Sequence, residues 1–235
     1  MTMLLWCDGT WSRPGARSAV SESLRRTLGD RLSWRYVDYP ASFGPATATG
    51  DLAYAESVAV GVHELADAAR DVDGPVIVGG YSQGAAVAVA YARLVGSDDR
   101  PLAVATLGDP HHPVHLGRSG IAGALSVPCR RMSVYAPGDP IADLPLGSPL
   151  RSLADLGAWM SVRDLAAARQ WGEDVLRDVL DARRMQQWWR NPAAFAGLLS
   201  AAGYARGYLG TAHTTDYITG GHVGRLACMI EEAAA

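Results

Sequence analysis

The stretch Val76-Ile-Val-Gly-Gly-Tyr-Ser-Gln-Gly-Ala85 decides how the rest of the chain is read. Val76 to Val78 is a β-branched run, apolar without alternation, which predicts a strand buried on both faces. The small residues Gly84-Ala-Ala-Val-Ala88 predict a helix packed closely against that strand. Between the two, Gly80-Tyr-Ser-Gln-Gly84 is a G-x-S-x-G, the pattern of a strained strand-to-helix turn that lifts a serine oxygen above a sheet. A Cβ on either flanking glycine would collide with neighbouring backbone. The helix that follows aims its first N–H groups at an oxygen that becomes negative during acyl transfer.

Outward from this turn the chain alternates. Met3–Cys7 is predicted as a first strand, followed by the polar turn Asp8-Gly-Thr-Trp-Ser12. Ser33–Val37 is a second strand. Asp51 is the expected N-cap of a helix running to about Arg70, with Leu52, Ala55, Val58, Val62, Leu65 and Ala69 on one face. The elbow strand and a helix to about Val95 come next. Pro101–Leu107 and Arg131–Ala136 are further strands, ending in Gly108-Asp-Pro110 and Pro137-Gly-Asp-Pro140. Apolar strands alternating with helices imply an α/β fold with a parallel, doubly wound sheet, whose site lies beyond the carboxyl ends of the strands. From about 150 to 204 the pattern turns helical, with stretches 161–171, 173–189 and 191–203 carrying Trp171, Trp188 and Trp189. The segment 203–221 is turn-rich. His222 to about Glu232 is a closing helix with Val223, Leu226, Ala227 and Ile230 inward.

At 235 residues the chain is expected to form one domain, 1–235, with 150–204 as a helical insertion. A net charge of −3 without a basic stripe argues against a nucleic-acid partner. Met1-Thr-Met-Leu-Leu-Trp6 lacks a basic n-region and a long apolar h-region, so no secretory signal is read. No cofactor is implied. His111, His112 and His115 lie close enough together for a metal test, but no ligand set completes them except Asp109, and no metal is expected.

A serine hydroxyl needs a base, and the base needs an orienting carboxylate, in the chain order Ser, acid, His. His213 and His222 lie far enough downstream. His213 is preferred because its loop can reach over the sheet edge, whereas His222 opens the last helix. Among the acids, Asp139 follows a strand directly and is preferred. Asp109 ends the preceding strand, and Asp143 reads as a surface or capping group.

Gly-Tyr-Ser-Gln-Gly-Ala at 80–85, Tyr-Pro-Ala at 39–41, Gly-Asp-Pro at 108–110 and Gly-Asp-Pro-Ile at 138–141 together resemble the cutinase-like serine esterases of the α/β-hydrolase fold. Within these the chain is most similar to the mycobacteriophage lysin B type, the mycolylarabinogalactan esterases, which carry a helical segment between acid and histidine. The resemblance implies Ser82 as nucleophile, Asp139 as acid, His213 as base, and the backbone N–H groups of Gln83 and Thr10 as oxyanion hole. It implies hydrolysis of the ester joining mycolic acids to arabinogalactan in the actinobacterial envelope. The enzyme would be a phage lysin made in the host cytoplasm and acting on the envelope at lysis. Its partners would be the lipid ester and, peripherally, the outer lipid layer, with no obligate protein partner evident. Secreted cutinases have a cysteine where this chain has Ala142. Asp8-Gly-Thr-Trp11 also resembles bacterial phospholipase-like hydrolases, whose elbow usually has arginine at the place of Gln83. A general lipase, cutinase, phospholipase or acyltransferase is the alternative reading. The insertion is expected to cover the site and handle a long acyl chain through Trp188 and Trp189, adjacent helical positions about 100° apart that cannot both sit at the centre of one buried stripe.

Overall fold

The computed structural model describes residues 1–96, 101–148, 150–151 and 211–235. The expected stretches 161–171, 173–189 and 191–203, with Trp188 and Trp189, lie outside them. Five strands, β1 (Met3–Cys7), β2 (Ser33–Val37), β3 (Val76–Tyr81), β4 (Ala103–Leu107) and β6 (Arg130–Val134), form one sheet in the order β2-β1-β3-β4-β6. Every neighbouring pair is parallel. Two-residue strands β5 (Arg118–Ser119) and β7 (Leu144–Pro145) pair antiparallel beside it. Among the described residues the α-helices are α1 (Ala19–Leu28), α2 (Tyr54–Arg70), α3 (Gln83–Leu94), α4 (Thr215–Thr219) and α5 (His222–Ala234), with a short 3-10 turn at Gly29–Arg31.

The two-residue period of β1 divides the core. Leu4 and Trp6 point to one face, with Val20, Leu24 and Leu28 of α1 and Val223, Leu226, Ala227 and Ile230 of α5. Leu5 and Cys7 point to the other, with Leu65 of α2 and Val87, Ala88 and Tyr91 of α3. The Trp6 indole lies across Gly79, where a Cβ would come 2.7 Å from Trp6 Cζ3 and 2.5 Å from the Ala105 carbonyl.

The register brings the carboxyl ends level: Val37 faces Cys7, Cys7 faces Gly80, Tyr81 faces Leu107 and Leu107 faces Val134. The loops bearing Asp8, Ser82, Gly108 and Asp139 therefore leave the sheet along one edge.

Several boundaries differ from expectation. α2 starts at Tyr54, and its N-cap is Ala53, not Asp51, with the Glu56 carboxylate accepting the Ala53 N–H at 3.0 Å. The chain before it is held in the loop because the Leu52 carbonyl already accepts from Gly44 N–H at 2.8 Å and from the Ser42 hydroxyl at 3.0 Å. β6 spans 130–134 instead of 131–136, and β4 starts at Ala103 instead of Pro101. Helices α1 and α4 were not anticipated. The first announces itself through Ser18 as N-cap, Val20, Leu24 and Leu28 at four-residue spacing, and Gly29 at the C-cap.

Candidate active site

The elbow has the strain its glycines allow. Ser82 sits at φ 56 and ψ −120, a left-handed region that a residue with a Cβ rarely occupies. Its N–H is held by the Leu107 carbonyl at 2.9 Å. A Cβ on Gly80 would lie 2.2 Å from the Gly84 carbonyl, and one on Gly84 would lie 2.0 Å from the Cys7 carbonyl. The sheet end and the start of α3 are thus in backbone contact, as the sequence pattern requires.

Ser82, His213 and Asp139 form one hydrogen-bonded line. His213 Nε2 is 2.9 Å from Ser82 Oγ, and His213 Nδ1 is 2.9 Å from both carboxylate oxygens of Asp139. Asp139 is fully buried and His213 is 6 % exposed, while Ser82 is half-buried and open to a cleft. The acceptor-only carboxylate fixes the proton on Nδ1 and leaves Nε2 to accept from serine.

Two tyrosines that the sequence did not single out hold this line. Tyr217, on α4 and fully buried, donates to Asp139 Oδ2 at 2.6 Å. Burial and the Asp139 charge push its hydroxyl well above the usual tyrosine range, so it remains a donor. Tyr81 stacks on the His213 ring, with centroids 5.3 Å apart and planes at 23°, and its hydroxyl donates to the His213 carbonyl. Asp139 Oδ1 also accepts the Ile141 N–H at 2.8 Å. Tyr217 lies in the segment 203–221 that reads as turns, and nothing local in the sequence marks its hydroxyl as the partner of Asp139.

Gly9 and Thr10 lie beside Ser82. A Cβ on Gly9 would be 3.3 Å from Ser82 Cβ. Among the described residues the N–H groups of Thr10 and Gln83 have no hydrogen-bond partner. The Gln83 side chain is spent elsewhere, its Nε2 donating to the Ser42 carbonyl at 2.8 Å. A cleft of about 380 Å³ opens over Ser82, lined among the described residues by Thr10, Trp11, Val20, His213, Thr215 and Ile218, among others.

The other candidates are engaged differently. Asp109 is fully buried and ion-paired to Arg131 at 2.6 Å, and it accepts the His111 N–H at 2.7 Å. Asp143 braces the acid loop from below: it accepts Gly138 N–H at 2.8 Å and Arg118 Nε at 2.6 Å, and meets His115 Nε2 at 3.1 Å. Burial opposes its ionisation, yet the bonds from Arg118 and Gly138 hold its carboxyl below the usual range. His222 opens α5 with its ring 5.9 Å from that of Tyr217, so it stands behind the line and not in it.

In the histidine group, His111 Nδ1 meets the Gly123 carbonyl at 3.0 Å and His112 Nδ1 meets Ser133 Oγ at 2.7 Å. Burial lowers His112 to about 4. Among the described residues no group of three metal-ligating side chains is assembled, and no helix is long and apolar enough to cross a membrane.

A family model described as the PE-PPE domain matches residues 32–140, a span that includes Ser82 and Asp139. A cutinase of Coprinopsis cinerea is 34% identical over 105 residues, which is 44% of this chain and 50% of the cutinase. The chain therefore spans half the length of that relative. Among solved structures, lysin B from Mycobacteriophage D29 superposes with a TM-score of 0.53 at 18% identity, over 77% of this chain and 90% of that one. The catalytic core domain of an acetyl xylan esterase from Trichoderma reesei covers 77% of this chain and 97% of its own, at 17% identity and a TM-score of 0.47. The chain is thus similar in part of its sequence to a cutinase, and in fold to lysin B.

Proposed function

We propose that this chain is a serine carboxylic ester hydrolase working by two-step acyl transfer. The observation that carries this reading is the unbroken line from Ser82 Oγ through His213 to Asp139, with the serine raised on a strained elbow over an open cleft. Ser82 Oγ attacks the ester carbonyl carbon while its proton passes to His213 Nε2. Asp139 stabilises the imidazolium through Nδ1 and stays ionised. The carbonyl oxygen, now negative, is received by the N–H groups of Thr10 and Gln83. His213 returns the proton to the departing alcohol oxygen as the carbon–oxygen bond breaks. Water then repeats the sequence in reverse, giving the free acid and restoring Ser82.

The finer assignment is the ester between mycolic acids and arabinogalactan in the actinobacterial envelope, the enzyme acting there as a phage lysin. Its support is the likeness in fold to lysin B together with the long interval between Asp139 and His213. The expected helical cover, residues 150–204, lies outside the described residues apart from 150 and 151. There Trp188 and Trp189 would meet the long acyl chain, with peripheral contact to the outer lipid layer. The test compares release of mycolic acids from isolated envelope with hydrolysis of p-nitrophenyl esters of graded chain length. Release from envelope at an efficiency matching the best soluble ester supports the assignment. Activity confined to short soluble esters, with none on envelope, returns the chain to the general cutinase or lipase alternative.

A further inference from the structure

Asp8 closes β1 as a fully buried carboxylate that accepts four hydrogen bonds. Oδ1 takes the Gly9 N–H at 2.8 Å, the Ser18 hydroxyl at 2.6 Å and the Ser21 hydroxyl at 2.7 Å, and Oδ2 takes the Ser18 N–H at 2.7 Å. All four donors are neutral. Burying a carboxylate without a cation is costly, and the start of α1 does not require one. Ser18 already caps that helix, its hydroxyl oxygen accepting the Ser21 N–H at 3.1 Å. Ser21 is itself fixed from behind by Trp6 Nε1, which donates to its hydroxyl at 2.8 Å.

Three of the four bonds tie Asp8 to the cap and first turn of α1, and the fourth holds the N–H of Gly9, whose loop lies beside Ser82. Asp8 thereby fixes Gly9 between the end of β1 and the start of α1. Gly9 is packed closely against the elbow: a Cβ there would be 3.1 Å from Tyr81 Cδ1 and 3.3 Å from Ser82 Cβ. The turn that follows is closed by Ser12 N–H on the Gly9 carbonyl at 3.1 Å, with Trp11 forced to φ 69. Asp8 takes the N–H of Gly9, and the Ala41 carbonyl takes the N–H of Trp11 at 2.9 Å. The N–H of Thr10 is the one between them without a partner among the described residues. The backbone of Asp8 reaches the other side of the site. Its carbonyl accepts the Tyr39 hydroxyl at 2.6 Å, and Tyr39 Oη lies 3.4 Å from Gln83 Oε1.

We propose that Asp8 is a positioning residue that sets the Thr10 N–H against the Gln83 N–H, so that the pair stands ready for the oxyanion before substrate arrives. This rests on the esterase reading given above. Asp8 touches no reacting atom and acts through Gly9 and Thr10. Its bonds require an acceptor on both oxygens. Asparagine would keep the size but turn a donor toward the Ser18 N–H, loosening the clamp at one corner.

The test measures kcat and KM on p-nitrophenyl butyrate and the rate at which a fluorophosphonate modifies Ser82, in the full chain. Phosphonylation passes through a tetrahedral centre whose oxygen occupies the same hole. With Asp8→Asn, kcat should fall roughly 30-fold and the phosphonylation rate should fall in parallel, while KM stays within about twofold. Ser21→Ala, which removes one donor from Oδ1 without entering the cleft, should give about a threefold fall with the same split. This second variant decides the matter if Asp8→Asn does not fold. A purely structural tie would lower the melting temperature and leave kcat and labelling of the folded fraction at the wild-type level, and that outcome overturns the proposal. So does a rise in KM at constant kcat. Failure of the wild-type protein to label at Ser82 removes the esterase reading itself, whereas normal labelling in wild type and in Asp8→Asn alike removes only the role of Asp8.

Discussion

Gly108→Ala is a perturbation whose effect on the active site can be worked out from distances. Gly108 follows β4 at φ +60, and an added Cβ would stand 3.0 Å from His213 Cε1, 3.4 Å from His213 Nδ1 and 3.3 Å from Tyr81 Cε2. The backbone conformation alone costs alanine about 1–2 kcal/mol of stability. Carbon contacts relax at about 3.5 Å or beyond, so the imidazole must retreat by roughly 0.5 Å. It has little room to do so, because Tyr81 stacks on one face and Asp139 holds Nδ1 at 2.9 Å. The movement is therefore taken up at the Nε2–Oγ contact, now 2.9 Å. A misplacement of about 1 Å can cost a hundredfold in rate, so half that distance should lower kcat by about tenfold. The assay is p-nitrophenyl butyrate turnover at a temperature where circular dichroism shows the variant folded. A folded Gly108→Ala protein with wild-type kcat would refute the reasoning, since it would mean that His213 moves without consequence or takes no part.

Tyr217→Phe deletes the hydroxyl that Asp139 Oδ2 accepts at 2.6 Å; losing a hydrogen bond to a buried charge should cost about 1.5–3 kcal/mol in urea unfolding and lower kcat, with KM little changed. His213→Ala should abolish turnover nearly as completely as Ser82→Ala, because triad members act as a unit, whereas His222→Ala should cost little; the opposite ranking in the same assay would move the base to His222. Stability should fall on acidification through His112. Its folded value of about 4 lies below the unfolded 6.5, so the unfolded state binds the extra proton and the stabilisation present above pH 6.5 is lost as pH falls toward 4. The loss is of order 3 kcal/mol at most, and a His112→Gln protein should show a flatter melting temperature between pH 6.5 and pH 4.

The sheet was legible because its signals are local and strong. Ile77 and Val78 are fully buried and Ala103–Leu107 is buried along its whole length, and each strand ends in a glycine or proline turn at the edge where the site forms. The pattern of Ser82, Asp139 and His213 was legible because chain order and loop position restrict the choice severely. What escaped has a common physical character. Tyr217 and Asp8 act through hydrogen bonds between segments far apart in sequence, and nothing in a single segment marks a hydroxyl or carboxylate as buried and spent on a distant partner. The start of α2 was misread because Asp51 is a good N-cap in isolation, while the loop bonds at Leu52 and the Glu56–Ala53 contact decide the boundary. Asp109 was a fair rival to Asp139 in sequence, and Arg131 distinguishes them by neutralising Asp109 in an ion pair.

The central claim is that Ser82 is a nucleophile activated by His213. Its most direct test is stoichiometric labelling with a fluorophosphonate, followed by peptide mass mapping. The account predicts one adduct per chain, located on Ser82, complete loss of esterase activity in step with labelling, and no adduct in Ser82→Ala or His213→Ala. Ester hydrolysis that survives in Ser82→Ala, or an adduct formed on another residue, would contradict it.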